Sequence, residues 1–201
     1  YAPVEFGAYS AWLGLVMLAS VAVTGRLEVA LPIEEDGEPR RFAVLATLAT
    51  VAGSCALLGI AAFGAFLLLP AVSACPPGLV AAFAPAVLLA AAAHTWQSWA
   101  AADGRYRELS GMRIAQALGV TLTQILVGLA TPTAAVLGGG HALGLLVGTC
   151  FAAWWMPLEL APLRSPSGFA DRLKAFWSRN RRFPMLSLPA DSINAASAQL
   201  P

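Results

Sequence analysis

FAVLATLATVAGSCALLGIAAFGAFLLLPAVSACPPGLVAAFAPAVLLAAAAHTWQSWAAA, residues 42–102, contains no Asp, Glu, Lys or Arg. A bilayer core ~30 Å thick is crossed by about 20 helical residues, so an uncharged run of 61 must fold back once. The break is expected at Pro70, Pro76, Pro77 and Gly78, where helix continuation is disfavoured. A second uncharged run, Ile114 to Leu158, has 45 residues, with its break expected at Pro132 and at Gly138, Gly139 and Gly140. Phe6 to Gly25 suffices for one crossing and ends at Arg26.

These runs predict an all-α fold, a polytopic transmembrane helical bundle. Five complete spans are expected near 6–25, 42–69, 78–102, 114–131 and 141–159, within a bundle covering 1–163. Residues 164–182 read as an amphipathic linker helix: Phe169, Leu173, Phe176 and Trp177 recur at helical spacing opposite Arg172, Arg179, Arg181 and Arg182. Such a helix suits an anionic leaflet, its apolar side in the acyl boundary. Residues 183–201 read as the start of a further span.

Composition agrees. Asp, Glu, Lys and Arg make up 11% of the chain, against about 25% in a soluble domain, and the mean hydropathy is +0.70. The 12 basic residues fall in three segments: Arg26, Arg40 and Arg41; Arg105, Arg107 and Arg113; and six from Arg164 to Arg182. By the positive-inside rule, loops 26–41, 103–113 and 160–182 are cytoplasmic and Tyr1 is external. An external amino end without Met or a charged leader predicts at least one preceding span. A net charge of +1, with no basic stripe on a soluble face, does not point to nucleic acid.

Cys55, Cys75 and Cys150 fit neither a zinc site nor a disulfide framework and read as small packing residues. Phe6, Tyr9 and Trp12, and Trp96, Trp99, Trp154 and Trp155, read as interfacial belts. Gly140, Gly144 and Gly148 leave a groove for a neighbouring backbone, within the chain sooner than between copies.

Polar side chains inside spans are costly and mark candidate sites. Arg113, Gln116, Thr123 and Gln124 share one face of the fourth span, facing either an aqueous cavity or neighbouring helices. His94, Gln97 and Ser98 form a second polar face. Arg26 and Glu28 read as interface anchors, and Glu159 and Asp191 as isolated. There is no HExxH, P-loop, GxSxG or pair of intramembrane carboxylates, so neither catalysis nor a metal or cofactor is expected.

Beyond composition, Tyr1-Ala2-Pro3-Val4-Glu5-Phe6-Gly7 and Thr24-Gly25-Arg26-Leu27-Glu28-Val29-Ala30-Leu31-Pro32 resemble the second span and following loop of Wzx-like polysaccharide flippases. Arg105-Tyr106-Arg107, Arg113-Ile114-Ala115-Gln116-Ala117, Gln124 and Gly128 resemble a later loop and span of that family. Arg182-Phe183-Pro184 through Gln199-Leu200-Pro201 resembles the entry to its seventh span. These flippases belong to the multidrug/oligosaccharidyl-lipid/polysaccharide exporter superfamily, and the resemblance covers essentially the whole chain as an amino-terminal half.

The resemblance implies one lobe of a MATE-like two-lobe exporter in a bacterial inner membrane. The implied substrate is an undecaprenyl-diphosphate-linked oligosaccharide, moved at the expense of an ion gradient. Implied partners are the lipid bilayer, a carboxy-terminal lobe and other polysaccharide-assembly proteins. Arg26, Arg113, Gln116 and Gln124 are the cavity residues carried by match and polarity, with Thr123, His94 and Gln97 beside them. At His94-Thr95-Trp96-Gln97 the sequence departs from the family's aromatic and amide run. A small-solute exporter of the same superfamily keeps the fold and changes the cargo; a membrane-embedded polymerase or ligase would need a larger external loop.

Overall fold

The structure, a computed structural model, describes residues 1–68, 76–158 and 166–199. Its helices are α1 (Pro3–Thr24), α2 (Glu38–Leu68), α3 (Pro77–Ala102), α4 (Tyr106–Gly128), α5 (Ala134–Trp155), α6 (Pro166–Asn180) and α7 (Leu188–Gln199). A 3-10 turn, Leu27–Ala30, follows α1, and a π-turn, Phe183–Ser187, precedes α7. The described residues contain no strand.

Four helices, α1, α2, α3 and α5, are long and apolar enough to cross a membrane, the makeup of a multi-pass membrane protein. A helix pairs most of its backbone groups internally, which is what an apolar solvent requires, although Pro85 inside α3 has no N–H to give. Helix α4, with 23 residues, matches them in length, but Arg107, Glu108, Arg113, Gln116 and Gln124 make it more polar.

Helix α3 sits centrally, against α1, α2 and α5, while α4 packs chiefly on α5. The α4–α5 seam is set by small residues. A β-carbon added to Gly144 would lie 2.5 Å from the Val120 nitrogen, and one on Gly148 would lie 2.7 Å from Gln116 Cβ. One on Gly140 would meet Gln124 Cγ at 2.7 Å. Without side chains at these three positions, the α4 backbone settles into the groove and gains close dispersion contacts. The glycine spacing therefore serves an intramolecular seam.

The second break differs from expectation. The chain turns at residues 129–133, and Gly138, Gly139 and Gly140 lie inside α5. Thr133 is extended, and the Glu5 carboxylate accepts a 2.5 Å hydrogen bond from the Ala134 N–H, so α5 is capped seven residues earlier than expected. Glycine costs about 1 kcal/mol in a helix, less than leaving an amide unpaired in an apolar medium. At its far end α5 stops at Trp155, just before Pro157. At the first break, Pro76 precedes α3, and Pro77 and Gly78 open it; Pro70 lies outside the described residues, as do Cys75, Glu159 and Arg164.

The cap yields a local prediction. Glu5→Ala should cost about 1 kcal/mol and speed hydrogen exchange at the first amides of α5, leaving α3 protected.

The charges gather at the other end. Arg40, 7% exposed, donates from Nε to the Leu31 carbonyl at 3.1 Å and from Nη2 to the Glu34 carbonyl at 2.9 Å. Its Nη1 reaches Asp103 at 2.9 Å and Asp36 at 2.5 Å, tying the 31–36 loop to the end of α3. The hydrogen bond that Arg40 donates to Asp103 is the main reason its pKa lies above the ordinary value, offsetting burial. Arg105 lies over Trp99 and Arg107 over Trp155.

Several aromatic residues expected in belts belong to the core. Tyr9, Trp12 and Trp99 are buried, and Trp12 Nε1 donates to the Leu79 carbonyl at 2.9 Å. Phe6, Trp154 and Trp155 are exposed. Cys55 is buried, whereas Cys150 is exposed and takes no part in core packing.

Helix α6 places part of its apolar side on protein, while Trp177 remains exposed. Phe169 meets Phe42 edge-on at 5.7 Å, Phe176 is buried, and the Arg172 guanidinium lies over Phe42. Arg172 pairs with Glu38 and Arg179 with Glu34, each at 2.5 Å. The acids of the 34–38 loop thereby attract the basic helix that follows the last long span.

Candidate functional site

A cavity of about 460 Å³ opens between α3, α4 and α5, lined by Gln97, Arg113, Gln116, Thr121 and His141, with Ala117 and Val120 between them. Arg113 lies in the second turn of α4 and is exposed; its Nη2 donates to Gln97 Oε1 at 3.3 Å. Gln116, three residues on, occupies the same face and is backed by Gly148. His141 enters from α5, one residue beyond the glycine triplet, and is 9% exposed.

Behind His141 the polar chain continues into the protein. His141 Nδ1 lies 3.5 Å from the Tyr9 hydroxyl, and Gln124 Nε2 donates to that hydroxyl at 3.4 Å and to the Leu137 carbonyl at 2.9 Å. His141 Nε2 is buried without a partner. An unmade hydrogen bond in an apolar setting costs about 1–3 kcal/mol, so this nitrogen is a reason for a polar group to enter the cavity. Chemically, the lining offers one fixed positive charge, two amides, a hydroxyl and an imidazole, and no carboxylate. Such a set suits anionic oxygens and hydroxyl groups.

A second, smaller cavity of about 210 Å³ lies at the charged end of α1, lined by Ser20, Thr24, Arg26, Glu28, His94 and Ser98 among others. It forms because Gly25 and Arg26 both adopt left-handed backbone conformations, at φ 58° and 59°, which turn the chain sharply into the 3-10 turn. Arginine pays about 1–2 kcal/mol there. The Thr24 hydroxyl accepts the Arg26 N–H at 3.2 Å, and Arg26 is held on both sides: Nη1 lies 3.3 Å from Glu28 Oε1 and Nε 2.6 Å from Asp191 Oδ2.

Of the residues expected on chemical grounds, Gln97, Arg113 and Gln116 meet in the larger cavity. Arg26 and His94 line the smaller one. Gln124 serves helix packing, and the Thr123 hydroxyl donates at 2.7 Å to the Gly119 carbonyl of its own helix. The polar face of α4 thus divides: its charged half faces space and its inner half bonds neighbours.

Asp191, read as isolated, is an ion-pair partner of Arg26, and Glu28 is buried beside it. Tyr9, which reads as a belt residue, and His141, which the sequence analysis does not single out, join the site only in the fold. The usable signal was His141 itself, an imidazole within 45 uncharged residues. Compared with protein-family models, with curated proteins and with solved structures, the chain matches none.

Proposed function

We propose that this chain forms one lobe of a MATE-like exporter that flips an undecaprenyl-diphosphate-linked oligosaccharide across a bacterial inner membrane. In this reading α4 also crosses the membrane, as the fourth of five spans, threading polar groups past a cavity. The arginine-rich ends are cytoplasmic, and the segments around Tyr1 and residues 129–133 are external.

One observation carries the reading: the larger cavity holds Arg113 among amides, without a carboxylate. Among the described residues no acid pairs with Arg113, so its charge is available to a ligand. A diphosphate would meet the guanidinium, hydroxyl-rich sugars the amides, and the polyprenyl chain would stay among lipid tails.

The test is inactivation of the gene, followed by quantification of lipid-linked oligosaccharide on each leaflet. The expected result is accumulation on the inner leaflet, reversed by the intact gene. Normal glycolipid distribution with impaired efflux of small solutes would instead identify a solute exporter. Normal flipping with failed polymerisation would identify an enzyme of assembly.

Orientation has its own test. Cysteines introduced at exposed positions Thr131 and Glu35 should differ sharply, Thr131→Cys labelling from outside intact cells and Glu35→Cys only after permeabilisation. Labelling of Glu35→Cys in intact cells would reverse the topology.

A further inference from the structure

The larger cavity has two unlike ends. It runs along α4, where Arg113 and Thr121, eight residues apart, line it about 12 Å from each other along the helix axis. The α4–α5 seam fixes where His141 stands on that scale. Gly140 lies against Gln124, Gly144 against Val120 and Gly148 against Gln116, so His141 is level with Thr121 to Gln124, roughly two to three turns from Arg113. Among the described lining residues Arg113 alone carries a fixed charge.

The hydrogen bonds behind His141 set what the far end offers. A carbonyl can only accept, so the 2.9 Å contact with Leu137 puts Nε2 of Gln124, not its oxygen, on that side. The same nitrogen gives its second hydrogen to the Tyr9 oxygen at 3.4 Å. The Tyr9 hydrogen then turns to His141 Nδ1, 3.5 Å away. A ring nitrogen that accepts leaves the proton of the neutral imidazole on the other one, Nε2. Nε2 is the atom buried without a partner, on a residue only 9% exposed. The far end therefore holds an N–H donor of fixed sense, with the Thr121 hydroxyl on the α4 side.

We propose that this end is a sugar subsite: with the diphosphate at Arg113, the His141 Nε2–H donates to an oxygen of the first sugar, a hydroxyl or an acetamido carbonyl. The subsite rests on the flippase reading for the identity of its ligand. A diphosphate is two joined tetrahedra, shorter than the separation of the ends, so it cannot serve Arg113 and His141 together. A second anion at the far end would be desolvated without a cation beside it. A neutral oxygen needs only the N–H, and an apolar group or a second donor would leave that N–H unmet.

The test uses the full chain in lipid nanodiscs and three probes: a short prenyl diphosphate, the same lipid carrying one N-acetylhexosamine, and an alkyl glycoside of that sugar without phosphate. The chain has 2 histidines, so isotopic nitrogen labelling of histidine gives a simple magnetic resonance spectrum, in which the signal lost in His141→Phe belongs to His141. Without ligand that signal should be of the Nε2-protonated neutral ring. Both sugar-bearing probes should move it, and the bare diphosphate should not. The sugar should tighten binding of the diphosphate by about tenfold, the equivalent of one net hydrogen bond. His141→Phe should abolish that gain and leave the bare diphosphate bound, whereas His141→Gln, whose amide N–H can reach the place of Nε2, should keep most of it. Arg113→Gln should do the reverse, losing the diphosphate while the glycoside still moves His141.

An Nδ1-protonated ring, a His141 signal that no sugar moves, or a sugar gain that survives His141→Phe overturns the subsite. A bare diphosphate that moves His141 as far as the sugar does also overturns it, by making the far end an anion site. A glycoside that moves His141 where the diphosphate fails to bind would uphold the subsite and remove instead the anion role of Arg113.

Discussion

Gly144→Leu should separate α4 from α5 and destabilise the protein by about 3 kcal/mol, the upper end of the usual cost of overpacking. At Gly144 an added β-carbon would run into the Val120 side chain and also lie 2.5 Å from the Val120 nitrogen and 2.8 Å from its Cα, and a backbone cannot turn aside as a side-chain tip can. The same seam places Gln116 against Gly148 and Gln124 against Gly140, so displacing α4 also breaks the Gln124 bonds to Tyr9 and Leu137.

Gly139→Leu is the matched control, on the same helix with nothing within 4 Å of an added β-carbon. There, replacing glycine by a good helix former should be neutral or stabilising by up to about 1 kcal/mol. Thermal unfolding in detergent separates the two, and cysteine cross-linking across the seam at Val120 and Val147 reports the helix spacing directly. Equal melting of the two variants would mean that α4 does not rest in the groove.

The same seam shows how much could be read from the residues alone. A four-residue glycine spacing announces a close approach because only backbone geometry is needed to see it, and the partner helix was then a matter of which neighbour is adjacent in the chain. The polar face of α4 was equally legible, since Arg113, Gln116 and Gln124 follow from 100° per residue. Its division into a cavity half and a packing half was not, because that depends on Tyr9 and Leu137, far away in sequence.

Glu5 was hidden for the same reason. Its carboxylate caps a helix that begins 129 residues later, and a conventional capping residue at Thr133 makes no side-chain bond. With that cap unseen, three consecutive glycines looked like a break. Asp191 likewise reads as a lone acid until the fold brings it 2.6 Å from Arg26. Charge and hydropathy patterns locate segments against a solvent; pairing between distant segments needs the packing itself.

Under the proposed flippase function, Arg113→Lys in the complete protein should insert and accumulate normally yet lose at least about tenfold in glycolipid export, equivalent to the ~1.4 kcal/mol that separates a strong bidentate contact from a weaker single one. Arg113 has no carboxylate to hold it among the described residues and makes only a 3.3 Å contact with Gln97 Oε1, so it can swing to an incoming anion at small cost. A guanidinium keeps its charge at any physiological pH and can fork across two phosphate oxygens; an ammonium supplies the charge without the fork. If Arg113 served only to fix topology or meet lipid headgroups, lysine would replace it fully. Arg105→Lys is the control, because Arg105 sits over Trp99 and near Asp103, outside the cavity lining, and should export within about twofold of the parent. Gln116→Leu should compound the defect, since it removes an amide from the same wall without touching charge. Normal export by Arg113→Lys and by Arg113→Gln, at normal abundance, would leave the cavity without its anion-binding role and reduce Arg113 to an anchor.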